Sequence, residues 1–281
     1  MTLGIRYMAV AVFCFSLMAA AAKTLVHLPG EEVAFLRSLV MAVASIFLIK
    51  RENSSILGNN RQVLLMRGIF GGVSMISYFY SLQLLPLATA QIFYYVSPIL
   101  TALFASWFLG EKIRPVTGFF FAVSFVGVLL VKGFDPRVSN FGFACGMLTA
   151  VFSAIAYTAI GKLKGRESPH TLIFYLSAVA AILSLATMVF RGSWVAPTGS
   201  ELARLFLVAL GAQLGQYFMT QAYFYEKSAN VAIVNYAGIV FALGYGWLFW
   251  GETFSFVSMI GMALVLAGVG MNIFWGNKKP A

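Results

Sequence analysis

The sequence predicts an all-α membrane protein of ten transmembrane helices, arranged as two inverted five-helix repeats. Three observations lead there. Of 281 residues, 60 % are hydrophobic and only 10 % charged, with a mean hydropathy of +0.87, whereas a soluble domain carries about 25 % charged residues. The charges cluster and leave apolar runs of roughly 20 residues, the length a helix needs to cross the hydrocarbon core of a bilayer. The second half of the chain also repeats the first with a shift of 141 positions.

Taken in order, the spans fall at about 4–26, 31–49, 63–84, 87–109, 113–132, 140–161, 169–190, 202–224, 229–250 and 254–275. Backbone polar groups find no partners in lipid, so each span is expected to be helical. The first, with Arg6, an apolar run and "AAAAK", has the outline of a signal peptide. Its "FSLMAAAA" matches "FSAIAYTA" at 152–159 inside the sixth span, so it reads as a retained helix. The connections are a handful of residues long and leave no room for a soluble domain. Cys14 and Cys145 sit inside apolar spans without metal or redox spacing and read as small buried hydrophobes.

A net charge of +10 raises the question of a polyanionic partner. Placement answers it. With the amino terminus in the cytoplasm, Arg6, Lys50, Arg51, Arg61, Arg67, Lys112, Arg114, Lys162, Lys164, Arg166, Lys227, Lys278 and Lys279 fall inside. Lys132, Arg137, Arg191 and Arg204 fall outside, and Lys23 and Arg37 lie within spans. That asymmetry is the positive-inside pattern. Both termini are therefore expected in the cytoplasm of a cell with an inner membrane. The expected partners are a small-molecule substrate and the lipid bilayer, with a homodimer left open; nucleic acid is not expected.

The repeat aligns "ATAQIFYYVSPILTALFASWFLGE" at 88–111 with "ANVAIVNYAGIVFALGYGWLFWGE" at 229–252. Gly68 and Gly72 then correspond to Gly211 and Gly215, and Gly118 and Gly127 to Gly261 and Gly270. The third span of each half thus carries GxxxG, whose small residues let helix backbones approach closely. Residues 1–139 form one unit and 140–281 the other, within one integral membrane domain. Five is odd, so the second unit enters the membrane from the opposite side. Secondary transporters frequently follow this plan, with a site near the midplane. Glu111 and Glu252 are repeat-equivalent, follow a glycine, and are read as starting a helix at its positive dipole end, with a gating ion pair, such as Glu111 with Lys112 or Arg114 of neighbouring segments, as the alternative.

Polar residues inside apolar spans are costly and face other helices or a water-filled cavity. Ser16, Ala20, Lys23 and His27 share a stripe on the first span; Ser74, Tyr78 and Ser81 share one on the third. The fourth offers Gln91, Tyr94, Tyr95 and Pro98. Tyr157 and Tyr175 come from the sixth and seventh, and Gln213, Gln216 and Thr220 share a face of the eighth. The ninth gives Asn235 and Tyr236. Tyrosines also suit membrane interfaces, and buried amides also join helices. Lys23 and Arg37 either snorkel outward or attract a substrate carboxylate or phosphate from the outer vestibule. Pro86 and Pro98 lack backbone donors and predict a kink, with a rocking hinge as the functional version.

The duplicated unit, "EVAFLRSLVMA" at 32–42 and "RGIFGGVSMISYFYSLQLLPLATAQIFYYVSPILTALFASWFLGEKI" at 67–113 resemble the drug/metabolite transporter superfamily, specifically its ten-helix EamA-type members. Both halves end in that family's manner, with Gly-Glu after an aromatic-aliphatic helix and then a glycine-spaced last helix. The second half departs where Gly238-Ile239 replaces Ser97-Pro98. The resemblance implies a central cavity lined from the first, third, fourth, sixth, eighth and ninth spans. It favours Ser16, Tyr78, Gln91, Tyr94, Tyr157, Gln216 and Asn235 as substrate-binding residues, to which Lys23 and Arg37 are added. It also implies a substrate among amino acids, nucleobase derivatives, S-adenosylmethionine and other metabolites.

Absences complete the reading. There is no GxxxxGK[ST] for ATP hydrolysis and no HExxH. Asp and Glu are missing from the middle of every span. Small multidrug exporters, distant relatives, use a first-helix glutamate where this chain has Ser16, so proton coupling has no obvious carrier. Neither an enzyme nor a cofactor is expected. The expectation is a secondary transporter of a small polar metabolite, amino-acid-like and zwitterionic or anionic, working by alternating access. The alternative is a solute-binding sensor or accessory protein without net transport.

Overall fold

The computed structural model describes residues 2–109, 115–225, 234–235 and 237–276. Its helices are α1 (Leu3–Lys23), α2 (Gly30–Arg51), α3 (Arg61–Leu84), α4 (Leu87–Tyr94), α5 (Ser97–Leu109), α6 (Pro115–Phe134), α7 (Asn140–Leu163), α8 (Pro169–Arg191), α9 (Gly199–Tyr225), α10 (Ala237–Trp250) and α11 (Phe256–Gly276). Among the described residues, α1, α2, α3, α7, α8 and α9 are each long and apolar enough to cross a membrane. At 1.5 Å rise per residue, the 24 residues of α3 cover about 36 Å.

Local chemistry fixes where these helices begin and end. Thr2, Asn60 and Ser139 side chains accept from the backbone N–H of Ile5, Val63 and Gly142, satisfying orphan donors at the starts of α1, α3 and α7. Ser168 does the same for α8, where Pro169 needs no N–H partner. Gly192, at φ 61°, closes α8 in the left-handed region.

The fourth span is two helices, not one. Pro98 has no N–H to offer the carbonyl one turn earlier, and the chain tightens at Tyr95 and Val96. There Val96 N–H reaches Phe93 O at 3.2 Å and Ile99 N–H reaches Val96 O at 3.2 Å, both i to i−3 bonds. The expected proline kink is thus a break between α4 and α5, placed just before Pro98.

The helices pair in a pattern that survives exchange of the first five spans with the last five. α1 packs along α9 and α3 along α7, pairs that convert into each other under the exchange. α2 with α8 and α6 with α11 convert into themselves. Gly127 and Gly261 let α6 and α11 touch: a Cβ on either would lie 2.5–2.7 Å from the other's carbonyl oxygen. The two GxxxG motifs also sit at close contacts, though with different partners. Gly68 and Gly72 face Tyr175, Val179 and Ala180 of α8, whereas Gly211 and Gly215 face Cys14, Phe15 and Met18 of α1. Phe93 and Leu82 lie wholly inside, while Phe190 is 91 % exposed and Trp107 84 %. Large apolar side chains turned outward suit a lipid surround, and this is a multi-pass membrane protein.

One end of the bundle is tied by Glu52 and Glu167. Glu167 Oε1 accepts from the Asn59 and Asn60 N–H groups at 2.6 and 2.8 Å, and His170 Nε2 lies 3.2 Å from Glu52 Oε1. Tyr175, a cavity candidate from the sequence, donates to Leu57 O at 2.9 Å here instead. At the opposite end Ser193 Oγ donates to Glu31 Oε1 at 2.6 Å and Val195 N–H to Glu32 Oε2 at 2.9 Å. In the turn after α6, Asp135 takes Arg137 Nε at 2.9 Å and Nη2 at 2.8 Å, which raises that guanidinium's pKa.

Two expectations change. Glu252 does not start the helix that follows it. Gly251, at φ 59°, ends α10, and Glu252 N–H bonds back to Gly246 O at 3.0 Å. Ser255 starts α11 by accepting from Ser258 N–H at 3.1 Å. The Glu252 carboxylate still meets a helix N-terminus, but that of α4 in the other half, accepting from Leu87 N–H at 2.8 Å. The dipole attraction is the one anticipated; the helix is different. Glu111 lies outside the described residues. Arg67, counted above among the cytoplasmic cations, is a buried residue of α3 at 3 % exposure.

Candidate functional site

A cavity of about 790 Å³ of non-atom space, open solvent at its mouth included, lies between the halves. α3 supplies its longest wall. Arg67, Gly71, Ser74 and Tyr78 recur at four, seven and eleven residues, so one helical stripe faces inward. α1 adds Phe15 and Ser16, α2 adds Arg37, α7 adds Ser153 and Tyr157, and α9 adds Gln216. Gln91, Tyr94 and Tyr95, around the break in the fourth span, line the cavity beside Tyr78, and Asn235 and Gly238 complete the lining.

Of the residues singled out from sequence, Ser16, Arg37, Tyr78, Gln91, Tyr94, Tyr157, Gln216 and Asn235 all line this cavity. Lys23 does not. Its ammonium donates to Leu82 O at 2.6 Å and also to Leu85 O. The cause is local: the carbonyl of Leu82 would ordinarily accept from the N–H four residues on, and that residue is Pro86. Lys23 supplies the missing donor at the negative end of α3. Sequence spacing did not single out Arg67, Ser153 or Thr149. For Arg67 the signal was present, since it extends the Ser74–Tyr78 stripe by two turns.

Neutral polar groups on the wall largely satisfy one another. Gln91 Nε2 donates to Tyr78 Oη at 2.6 Å, and the Tyr94 and Tyr157 hydroxyls share a 2.5 Å bond. Ser74 Oγ bonds Ser153 Oγ at 2.6 Å, and Ser16 Oγ turns back to Phe13 O at 2.8 Å. Tilted ring pairs join Tyr78, Tyr94 and Tyr95, with centroids 5.4–6.0 Å apart.

The cations are different. Arg67 Nη2 donates to Gln216 Oε1 at 3.0 Å, and its guanidinium lies 5.8 Å from the Tyr157 ring centre. Arg37 meets the Met75 thioether through Nη1 and lies 5.7 Å from the Phe79 ring centre. Each Nε is buried without an acceptor. Among the described residues no Asp or Glu lines the cavity, and neither arginine takes part in an ion pair. A buried guanidinium without a counter-charge is expensive, and an ionisable group inside a membrane marks a pathway or a binding site.

Known proteins share this architecture. Two segments, residues 2–133 and 140–274, each match the EamA-like transporter family. The chain belongs to the EamA-like transporter family. It is 33 % identical over 265 residues to the pseudopaline exporter CntI of Pseudomonas aeruginosa, covering 94 % of this chain and 93 % of that one. It is 26 % identical to human solute carrier family 35 member G1, over 94 % of this chain and 77 % of that one. An S-adenosylmethionine uptake transporter of Rickettsia felis is 25 % identical over 90 % and 85 %. A solved crystal structure, 21 % identical, superposes with a TM-score of 0.67 over 97 % of this chain and 96 % of the other, a likeness of fold. These relatives are transporters, not enzymes.

Proposed function

We propose that this EamA-like protein is a secondary transporter that moves a small polar metabolite with an anionic group, amino-acid-like in size, across an inner membrane by alternating access. One observation carries the reading: Arg37 and Arg67 are buried on the cavity wall with no carboxylate beside them among the described residues. A substrate carboxylate supplies what the protein withholds. Charge-assisted bonds to guanidinium are short and about twice as strong as neutral ones.

Units 1–139 and 140–281 act as oppositely oriented halves. The positive-inside pattern puts the Glu52 end in the cytoplasm, with both termini, and the Glu252 end outside. The break at Tyr95 and Val96 supplies a hinge beside the site, because hinges concentrate backbone change in few residues. Tyr94 and Asn235 are repeat-equivalent and both line the cavity, which supports a site on the axis relating the halves. S-adenosylmethionine carries a sulfonium cation, and two guanidiniums oppose it electrostatically, so that relative's cargo is disfavoured here.

The test is flux in proteoliposomes with Arg37→Gln and Arg67→Gln. Each variant is expected to lose at least about tenfold in transport, the loss of one charge-assisted bond in the cavity. Undiminished flux in both removes the cavity arginines from the site.

A further inference from the structure

The two guanidiniums face different neighbours. Arg67 turns from α3 toward Gln216 of α9, and its Nη1 lies against Gly71, 2.6 Å from where a Cβ would sit. Arg37 comes from α2 and meets Met75. Gly71 and Met75 are one helical turn apart, about 6 Å of rise. The wall between and around them is neutral, built from Ser74, Tyr78, Tyr94 and Tyr157.

Each guanidinium carries five N–H donors. Among the described residues, Arg67 has one oxygen acceptor in Gln216, and Arg37 has only a thioether. A monoanion that pairs with one of them leaves the other as a buried, uncompensated charge, the costly arrangement. Full neutralisation takes two negative charges, and full hydrogen bonding takes acceptors at two places. We propose that the cavity takes a small dicarboxylate, one carboxylate held by Arg37 and the other by Arg67. This substrate class rests on the transport reading above and sharpens it. The carbon chain between the carboxylates lies against the tyrosine rings, and any ammonium on that chain meets their electron-rich faces.

The experiment is calorimetric titration of the purified full-length protein with succinate, glutarate, adipate and pimelate. The monomethyl ester of each, glutamine and inorganic phosphate serve as comparison ligands. At least one diacid is expected to bind about 10- to 100-fold more tightly than its own monoester, the loss of one buried charge-assisted pair. In Arg37→Gln and in Arg67→Gln that ratio should fall to near one. The wild-type ratio alone decides the matter if a variant fails to fold. Equal binding of diacid and monoester, with both weakened by the two substitutions, overturns the dicarboxylate and leaves the cavity as an anion site. Phosphate binding above every diacid likewise overturns the pair of carboxylates while sparing the site. Binding of glutamine or monoesters that neither substitution alters overturns both this proposal and the transport reading beneath it.

Discussion

Replacing Arg37 by Met is expected to make the protein more stable and less active. The side chain is 4 % exposed, so its charge sits apart from bulk water, and the effective penalty for such an ion is several kcal/mol. The Phe79 ring, 5.7 Å away, returns about 1–2 kcal/mol through cation–π attraction. A net cost of about 2 kcal/mol is left, and removing Arg37 strands no partner, because its only polar contact among the described residues is the Met75 sulfur. With about 2–4 °C of Tm per kcal/mol for a chain of this size, Arg37→Met should unfold about 5 °C higher. The assay is thermal unfolding in one detergent without substrate, run beside flux in proteoliposomes. Flux should fall at least tenfold. A drop in Tm of similar size would refute the reasoning, because it would mean that the guanidinium is already compensated in the folded protein. Arg67→Met is the internal control: it leaves Gln216 Oε1 without its donor, a loss of about 1–3 kcal/mol, so its Tm should change little.

Three further outcomes are expected. Gly71→Ala places a methyl 2.6 Å from Arg67 Nη1 and 2.4 Å from a Leu176 methyl; substrate affinity should fall several-fold while membrane insertion stays normal, as read by titration and yield. Lys23→Met removes the donor to Leu82 O and Leu85 O, costing about 1–3 kcal/mol; Tm should fall by at least about 2 °C with flux per folded molecule kept within twofold, and the reverse pattern would make Lys23 a site residue. Glu252→Gln weakens the cap on α4 at Leu87 N–H and should lower Tm by a degree or more, measured by unfolding in detergent.

Much of the cavity wall was legible because helical periodicity is a local property. The Ser74–Tyr78 stripe on α3, and Gln91 with Tyr94 before Pro98, point the same way in the sequence and in the cavity. What was not legible depends on partners distant in the chain. Lys23 looked like a cation aimed at solute, yet it answers a carbonyl that Pro86 leaves without its N–H, 59 residues from Lys23. Glu252 was correctly paired with a helix dipole, but its helix begins 165 residues away at Leu87. Arg67 was misplaced for another reason. Its charge was grouped with Arg61 at the span's edge, although its spacing from Gly71, Ser74 and Tyr78 marks the cavity face. A cation on a polar stripe one or two turns inside a span is better read with the stripe than with the loop.

The decisive measurement needs no prior choice of substrate. Proteoliposomes are loaded with an equimolar mixture of acidic, neutral and basic metabolites, and mass spectrometry reads which solutes leave through the wild type and through Arg37→Gln/Arg67→Gln. Efflux of acids alone, abolished in the double variant, is the predicted result. Efflux of neutral or basic solutes that the double variant supports equally well would contradict it.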